Sequence, residues 1–253
     1  MIDILIISKK HLMSSSLANK MNKIKLSISA PLYNESKNCV AGIKDMLKQL
    51  NKEVKSFELI LVNNGSTDDT GKIIEKIKSK HKNIVTVHLK TNQGYGGGII
   101  AGLKKSKGEY VGNTILDGQI DGKDLVRVFN NMIKEKADIG KSVRVKRHDG
   151  IKRKIFTIGY ESVINILFLT NIRDINGYPK IMKRQIFNKL NIQNKNWFID
   201  TEIMLKAKKR KLKISQTPVI FRKRQGGTSH VNYGTAMELF ITAVKTRFKG
   251  LKF

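Results

Sequence analysis

Residues 113–122 read NTILDGQIDG, an apolar stretch that ends in a carboxylate, a glycine and an amide. Carboxylates just beyond a strand can hold a hard divalent cation against a diphosphate. Mg2+ and similar ions take one or two carboxylates and fill the rest of their shell with water and phosphate oxygens. Asp117 and Gln119 have that placement, but the position two before Asp117 is Ile115. Asp121, four residues beyond Asp117, could contribute only if the turn folds back. Three readings follow: a cation site lacking one ligand, a site shifted onto Asp121, or a plain strand-to-turn junction. Other stretches carry chemistry of their own. In APLYNE, Pro31 shapes a turn, Tyr33 offers a ring to pack on a base, and Glu35 accepts ring or hydroxyl hydrogens, although an ordinary turn explains them equally well. Asp200 and Glu202 open a helix, where the dipole favours acids with or without a function. The glycines of NQGYGGG (92–98) do not make a dinucleotide fingerprint. They follow the third strand signal, not the first, and their spacing is wrong.

The elements that must position these residues alternate. KLSISAP (25–31) reads as a strand, and Val40, Ile43, Leu47 and Leu50 then recur at helical spacing. FELILV (57–62) suits a buried parallel strand, and Ser66, Thr67 or Asp68 can cap the helix TGKIIEKIKSK. NIVTVHL predicts a third strand, NQGYGGG a glycine loop, IIAGLKKS a helix and EYVGNTIL a fourth strand. DLVRVFNNMIKEK predicts a helix and ADIGKSV a strand. Strand and helix in series imply an α/β, doubly wound, mostly parallel sheet, whose ligands sit beyond the carboxyl ends of the strands. APLYNE, VNNGS and LDGQ all fall at such ends. The second half is less regular. Helices are expected over 152–169 and 201–212, the latter with a basic outer face, and KISQTPVIFR reads as a strand that Pro218 assigns to an edge. No second hydrophobic core is evident.

At 253 residues the chain suits one large domain. The expected division is an N-terminal extension over 1–23, a catalytic domain over 24–233 and an amphipathic C-terminal helix over 234–253. One cysteine, Cys39, excludes an internal disulfide and fits a reducing, cytoplasmic setting. The opening MIDILIIS is too short for a signal core, and Met13 or Met21 could be the start. A net charge of +29 attracts polyanions: nucleic acid, an anionic membrane or phosphorylated ligands. A lysine-biased composition alone would also produce it. The clusters at 141–154, 206–213 and 221–224 are more informative than the total. Nothing resembles a helix-turn-helix, zinc finger or RNA-binding sheet, so nucleic acid rests on charge alone.

Seven stretches in order carry a resemblance: APLYNE, ELILVNNGSTDDT, NQGYGGGIIAGL, LDGQ, DINGYPKI, FIDTEIMLKA and RQGGTS. Together they resemble family 2 glycosyltransferases, on the branch similar to dolichyl-phosphate mannose synthases and polyprenyl-phosphate hexosyltransferases. The resemblance covers about Lys25 to about Val231. It implies a GT-A-type fold, nucleotide-diphospho-sugar transferase-like, with a C-terminal helical, acceptor-binding part. It implies inverting transfer of a hexose from a UDP- or GDP-sugar to a polyprenyl phosphate, assisted by Mg2+ or Mn2+. Pro31, Tyr33, Glu35, Asn63, Asn64, Asn92, Gly94, Asp117 and Gln119 would then bind the nucleotide sugar. The metal motif, Asp-x-Asp-x-Gln, falls on Ile115, Asp117 and Gln119, so the cation would rest on Asp117 with Gln119 in support. Asp200 becomes a candidate base near the acceptor. Asp174 and Lys180 would orient acceptor or diphosphate, and Arg224 and Ser229 would grip phosphate. The family usually has aspartate where Asn63 or Asn64 stands, and often lysine where His230 stands. The remaining alternatives are transfer to a glycan or lipid-linked sugar in surface-polysaccharide assembly, and a pseudoenzyme with a degraded metal motif. A lipid-phosphate acceptor further implies peripheral work at the cytoplasmic face of an anionic membrane.

Overall fold

The computed structural model describes residues 24–148, 150–223 and 233–251. The expected N-terminal extension (1–23), and Arg224 and Ser229, expected to grip phosphate, lie outside the described residues. Four parallel strands come first: β1 (Leu26–Leu32), β2 (Phe57–Asn64), β3 (Ile84–Leu89) and β4 (Tyr110–Asn113). They alternate with α1 (Cys39–Glu53), α2 (Thr70–Lys78) and α3 (Gly94–Lys105), and α4 (Gly122–Lys134) follows β4. The second half adds β5 (Ile139–Arg147), α5 (Ile151–Phe168), β6 (Lys180–Lys183), α6 (Arg184–Leu190), α7 (Ile199–Lys209), β7 (Ile214–Phe221) and α8 (Tyr233–Lys249). The strand order is β3-β2-β1-β4-β6-β5-β7. Only β6 runs against its neighbours, so the sheet is mixed but mostly parallel. Pro218 lies on the edge strand β7, where its missing N–H can face outward.

Successive strand residues point to opposite faces of the sheet. Ile181 accordingly joins a cluster with α1, α2 and α4, while Met182 joins one with α3 and α5 to α8. The second hydrophobic core that sequence did not suggest is therefore the other face of the same sheet. Two further expectations change. The glycine stretch is not a loop but the first turns of α3, and α7 is buried from Ile199 to Ala207 and has no continuous basic face. Its Lys206 is itself buried, 2.7 Å from Glu202 one turn earlier.

The chain steps outward through β1, β2 and β3, then returns to place β4 on the other side of β1. Such a reversal opens a crevice beyond the strand ends. Helix α3 can approach it closely because Gly98 has no side chain; a Cβ there would stand 2.8 Å from the Pro31 Cβ.

Candidate active site

A cavity of about 340 Å3 occupies that crevice. Pro31 near the end of β1, Tyr33 and Glu35 just beyond it, Asn64 at the end of β2, Asn92 and Gly94 entering α3, and Ile115, Asp117 and Gln119 after β4 all line it. Asn64 joins two of these segments: its amide donates to Asn92 Oδ1 (3.1 Å) and to the Gly94 carbonyl (2.9 Å), and its oxygen accepts from Gln93 N (3.0 Å). Asn63, one residue earlier, does not line the cavity. Its amide lies 3.2 Å from His88 Nδ1 and its oxygen accepts from Ser66 N.

Asp117 is buried, and its Oδ1 accepts the Gln119 backbone N–H at 3.0 Å. Gly118 makes this turn possible because its φ of 79° falls in the left-handed region, which side chains avoid. The Gln119 amide oxygen accepts from Tyr178 and its nitrogen donates to the Arg222 carbonyl. Asp121 does not fold back. It accepts the Asp124 N–H at 3.0 Å as the cap of α4, and pairs with Arg222 at 2.8 Å. The shifted-site reading is thereby closed. No group of three or more His, Cys, Asp or Glu clusters at ligand spacing among the described residues. One buried carboxylate beside an amide oxygen fits a hard cation that draws most of its shell from diphosphate and water.

The rest of the lining was not legible in sequence. Arg144, Arg153, Phe156 and Thr157 from β5 and α5, Tyr95 and Trp197, and Thr235 and Leu239 of α8 complete the cavity. Tyr95 and Trp197 stack with ring centroids 4.4 Å apart. The β5–β7 register slips between Arg144 and Lys146, and a bulge of this kind re-aims the side chain beside it. The Arg144 guanidinium lies over the Phe221 ring and is gripped by Asp174, with Nε 3.0 Å from each carboxylate oxygen. Burial alone would raise the Asp174 carboxyl, but Arg144 and then Lys141 hold it down at about 2. Lys141 lies behind them, donating to the carbonyls of Arg173 and Asp174; burial, reinforced by the like charges of Lys180 and Arg144, lowers it to about 7.

Asp174 and Lys180 do not reach the cavity; each holds a residue that does. Lys180 is wholly buried and donates to Asp200 Oδ1 at 2.5 Å and to the Gly177 carbonyl at 2.7 Å. Burial pushes Lys180 down, and the Asp200 carboxylate opposes that shift. Asp200 lines the cavity from the first turn of α7 and also bonds Tyr95. Desolvation, and then the adjacent Asp200 charge, raises the Tyr95 phenol well above its ordinary range.

Comparison with known proteins identifies relatives of the same fold. The Dictyostelium discoideum dolichyl-phosphate beta-glucosyltransferase is 28% identical over 96% of this chain and 80% of its own length. Trichomonas vaginalis dolichyl-phosphate beta-glucosyltransferase ALG5A is also 28% identical, over 82% of this chain and 68% of its own. Among solved structures, glucosyl-3-phosphoglycerate synthase from Mycobacterium tuberculosis, in complex with Mn2+, UDP and phosphoglyceric acid, superposes with a TM-score of 0.70 at 15% identity. That match covers 88% of this chain and 78% of the synthase. S. aureus TarS 1–349 in complex with UDP-GlcNAc gives 0.58 at 21% identity, over 91% and 68%. These likenesses establish the GT-A fold. The model of the family described as Glycosyl transferase family 2 matches residues 27–191, and the chain belongs to that family.

Proposed function

We propose that the protein transfers a hexose from a nucleotide sugar to a polyprenyl or dolichyl phosphate with inversion at the anomeric carbon. The observation that carries this reading is the mixed chemistry of one cavity. Its lining combines Pro31, Tyr33, Glu35, Asn64 and Asp117, suited to a base and a diphosphate, with the cationic side chains of Arg144 and Arg153. Relatives that include dolichyl-phosphate beta-glucosyltransferases, and structures of the same fold in complex with UDP or UDP-GlcNAc, support the same donor and acceptor classes.

In this mechanism Tyr33 packs on the base and Glu35 and Asn64 take hydrogen bonds from base or ribose. Asp117, fixed by the Gly118–Gln119 turn, faces the diphosphate. It would hold Mg2+ or Mn2+ there with Gln119 nearby, and the bound cation supplies neutralisation of the leaving diphosphate's charge. Arg224 and Ser229 are assigned to the same diphosphate. The acceptor phosphate sits against Arg144 and Arg153. Its oxygen attacks the anomeric carbon, the bond to the diphosphate oxygen breaks, and the nucleoside diphosphate leaves with the electron pair. A phosphate acceptor is already ionised at neutral pH, so no strong base is required. Asp200, held by Lys180 and Tyr95, then serves to accept hydroxyl hydrogens of the hexose and fix its orientation. The acceptor class implies peripheral work at a membrane.

Arg153 is the sharper test of the acceptor wall, because Arg144 is also built into the Asp174 network. Loss of one charge-assisted contact costs about 1.5–3 kcal/mol. Arg153→Ala should therefore raise KM for the lipid phosphate by roughly tenfold to a hundredfold while leaving donor affinity within about twofold. Steady-state kinetics with each substrate varied separately would show it; a rise confined to donor KM would move Arg153 to the donor side.

A further inference from the structure

We propose that the outward faces of α5 and α8 together form the surface that seats the protein on an anionic lipid bilayer. The proposal rests on the lipid-phosphate reading above and says where that lipid is met. Both helices are already anchored by one apolar face: Tyr160 and Ile164 of α5, and Leu239 and Ala243 of α8, are buried in the core. Each also presents a second apolar stripe to the outside. On α5, Ile155, Ile158 and Ile166 share an arc of roughly 80° at 3.6 residues per turn. The exposed positions among them are Gly159 and Ser162, and Leu169 follows just past the helix end. Ile166 is 73% exposed and Leu169 87%. On α8, Met237, Phe240, Ile241 and Phe248 share an arc of roughly 100°, and Phe248 is 85% exposed. A helix that is apolar on opposite sides leaves one side uncovered unless something else packs there.

The two helices are neighbours, and both reach the cavity. Their N-terminal ends meet at the cavity through Arg153, Thr157, Thr235 and Leu239, and their C-terminal ends meet at a separate groove lined by Leu169 and Leu251. They therefore run side by side in one direction, and a lipid lying along them has its phosphate end at Arg153. Charge selects the occupant. Exposed Lys154, Lys245, Arg247 and Lys249 stand on these helices, with Glu238 the exposed acid among their described residues. With a net charge of +29, apposing two copies would bring like charges together, whereas an anionic bilayer supplies the complementary field and an apolar layer beneath it.

The test uses the full chain with sedimentable vesicles of phosphatidylcholine, with or without phosphatidylserine and free of polyprenyl phosphate. Wild type should bind the anionic vesicles, and raised salt should weaken that binding. Ile166→Glu with Phe248→Glu should reduce it by at least about tenfold. Because both positions are exposed, the variant should keep its circular dichroism and its transfer to a water-soluble, short-chain polyprenyl phosphate. Truncating α8 is a poorer probe, since it also removes Leu239 and Ala243 from the core. No wild-type binding, equal binding to neutral vesicles, or binding indifferent to the two glutamates would overturn the docking surface. So would a wild-type dimer in light scattering that the variant dissolves. Vesicle binding without any transfer would uphold the surface and remove the acceptor reading instead.

Discussion

Asp117→Ala should abolish cation-dependent binding of the nucleotide sugar and lower kcat/KM by about 10²–10³, the usual cost of removing one group that stabilises transition-state charge. The expectation follows from position. Asp117 is buried, oriented by the Gln119 N–H, and lines the cavity, whereas Asp121 in the same turn caps α4 and pairs with Arg222. Calorimetric titration of UDP- and GDP-hexoses with and without Mn2+ would measure it. Donor binding equal to wild type in Mn2+ would refute the metal assignment. A gain-of-function companion is available at Ile115, which lines the cavity and packs at the edge of the small cluster of Ile120, Tyr178, Val219 and Phe221. Ile115→Asp adds a second carboxylate to the same wall and should tighten Mn2+ by at least about tenfold, since site affinity rises with ligand charge.

The largest effect on stability is expected at Lys180. Its ammonium and the Asp200 carboxylate are both buried and 2.5 Å apart. Removing one partner of such a pair leaves a buried uncompensated charge, at a cost of about 3–5 kcal/mol. Lys180→Met should lose that much in urea unfolding. Lys180→Met combined with Asp200→Leu should recover most of it, because a well-packed apolar pair replaces the ions, yet transfer should remain lost because Asp200 lines the cavity. A single variant within about 1 kcal/mol of wild type would show that Lys180 is not the counterion of Asp200.

Part of the cavity lining was legible because APLYNE, VNNGS and LDGQ sit in short segments at strand ends. A parallel α/β pattern sends every such end to the same edge. Pro31, Tyr33, Glu35, Asn64, Asn92, Gly94, Asp117 and Gln119, the residues that the family resemblance singled out, line one cavity there. Asn63 was a matter of strand alternation: adjacent residues of β2 face opposite ways, and only Asn64 faces the cavity. The rest of the lining depends on long-range assembly. Arg144 is aimed by a bulge, and Arg153, Thr157 and Thr235 come from helices that meet only in the folded chain. Buried charge misled in the other direction. The stretch KIMK forms β6 with Lys180 buried against Asp200 and Lys183 paired with Asp138. The family resemblance had given Asp174 and Lys180 as ligand contacts. Their function-like charge is spent on holding Arg144 and Asp200 in place. The glycines of 94–98 read as a loop by composition, whereas close approach to Pro31 and to the Asn194 carbonyl requires them inside a helix.

A neutral glycan hydroxyl as acceptor would need a base, and Asp200 is the residue placed to be one. A catalytically silent relative would bind donor and transfer nothing. One measurement separates both from transfer to a lipid phosphate. Purified protein is incubated with hexose-labelled UDP- and GDP-sugars, Mn2+ and polyprenyl phosphate, and label is counted in the organic-extractable lipid. Label should enter the lipid with one nucleotide sugar, only when polyprenyl phosphate is present, and Asp117→Ala should abolish the transfer. Label that stays in the aqueous phase with every donor, while the same protein binds a nucleotide sugar, would contradict lipid-phosphate transfer.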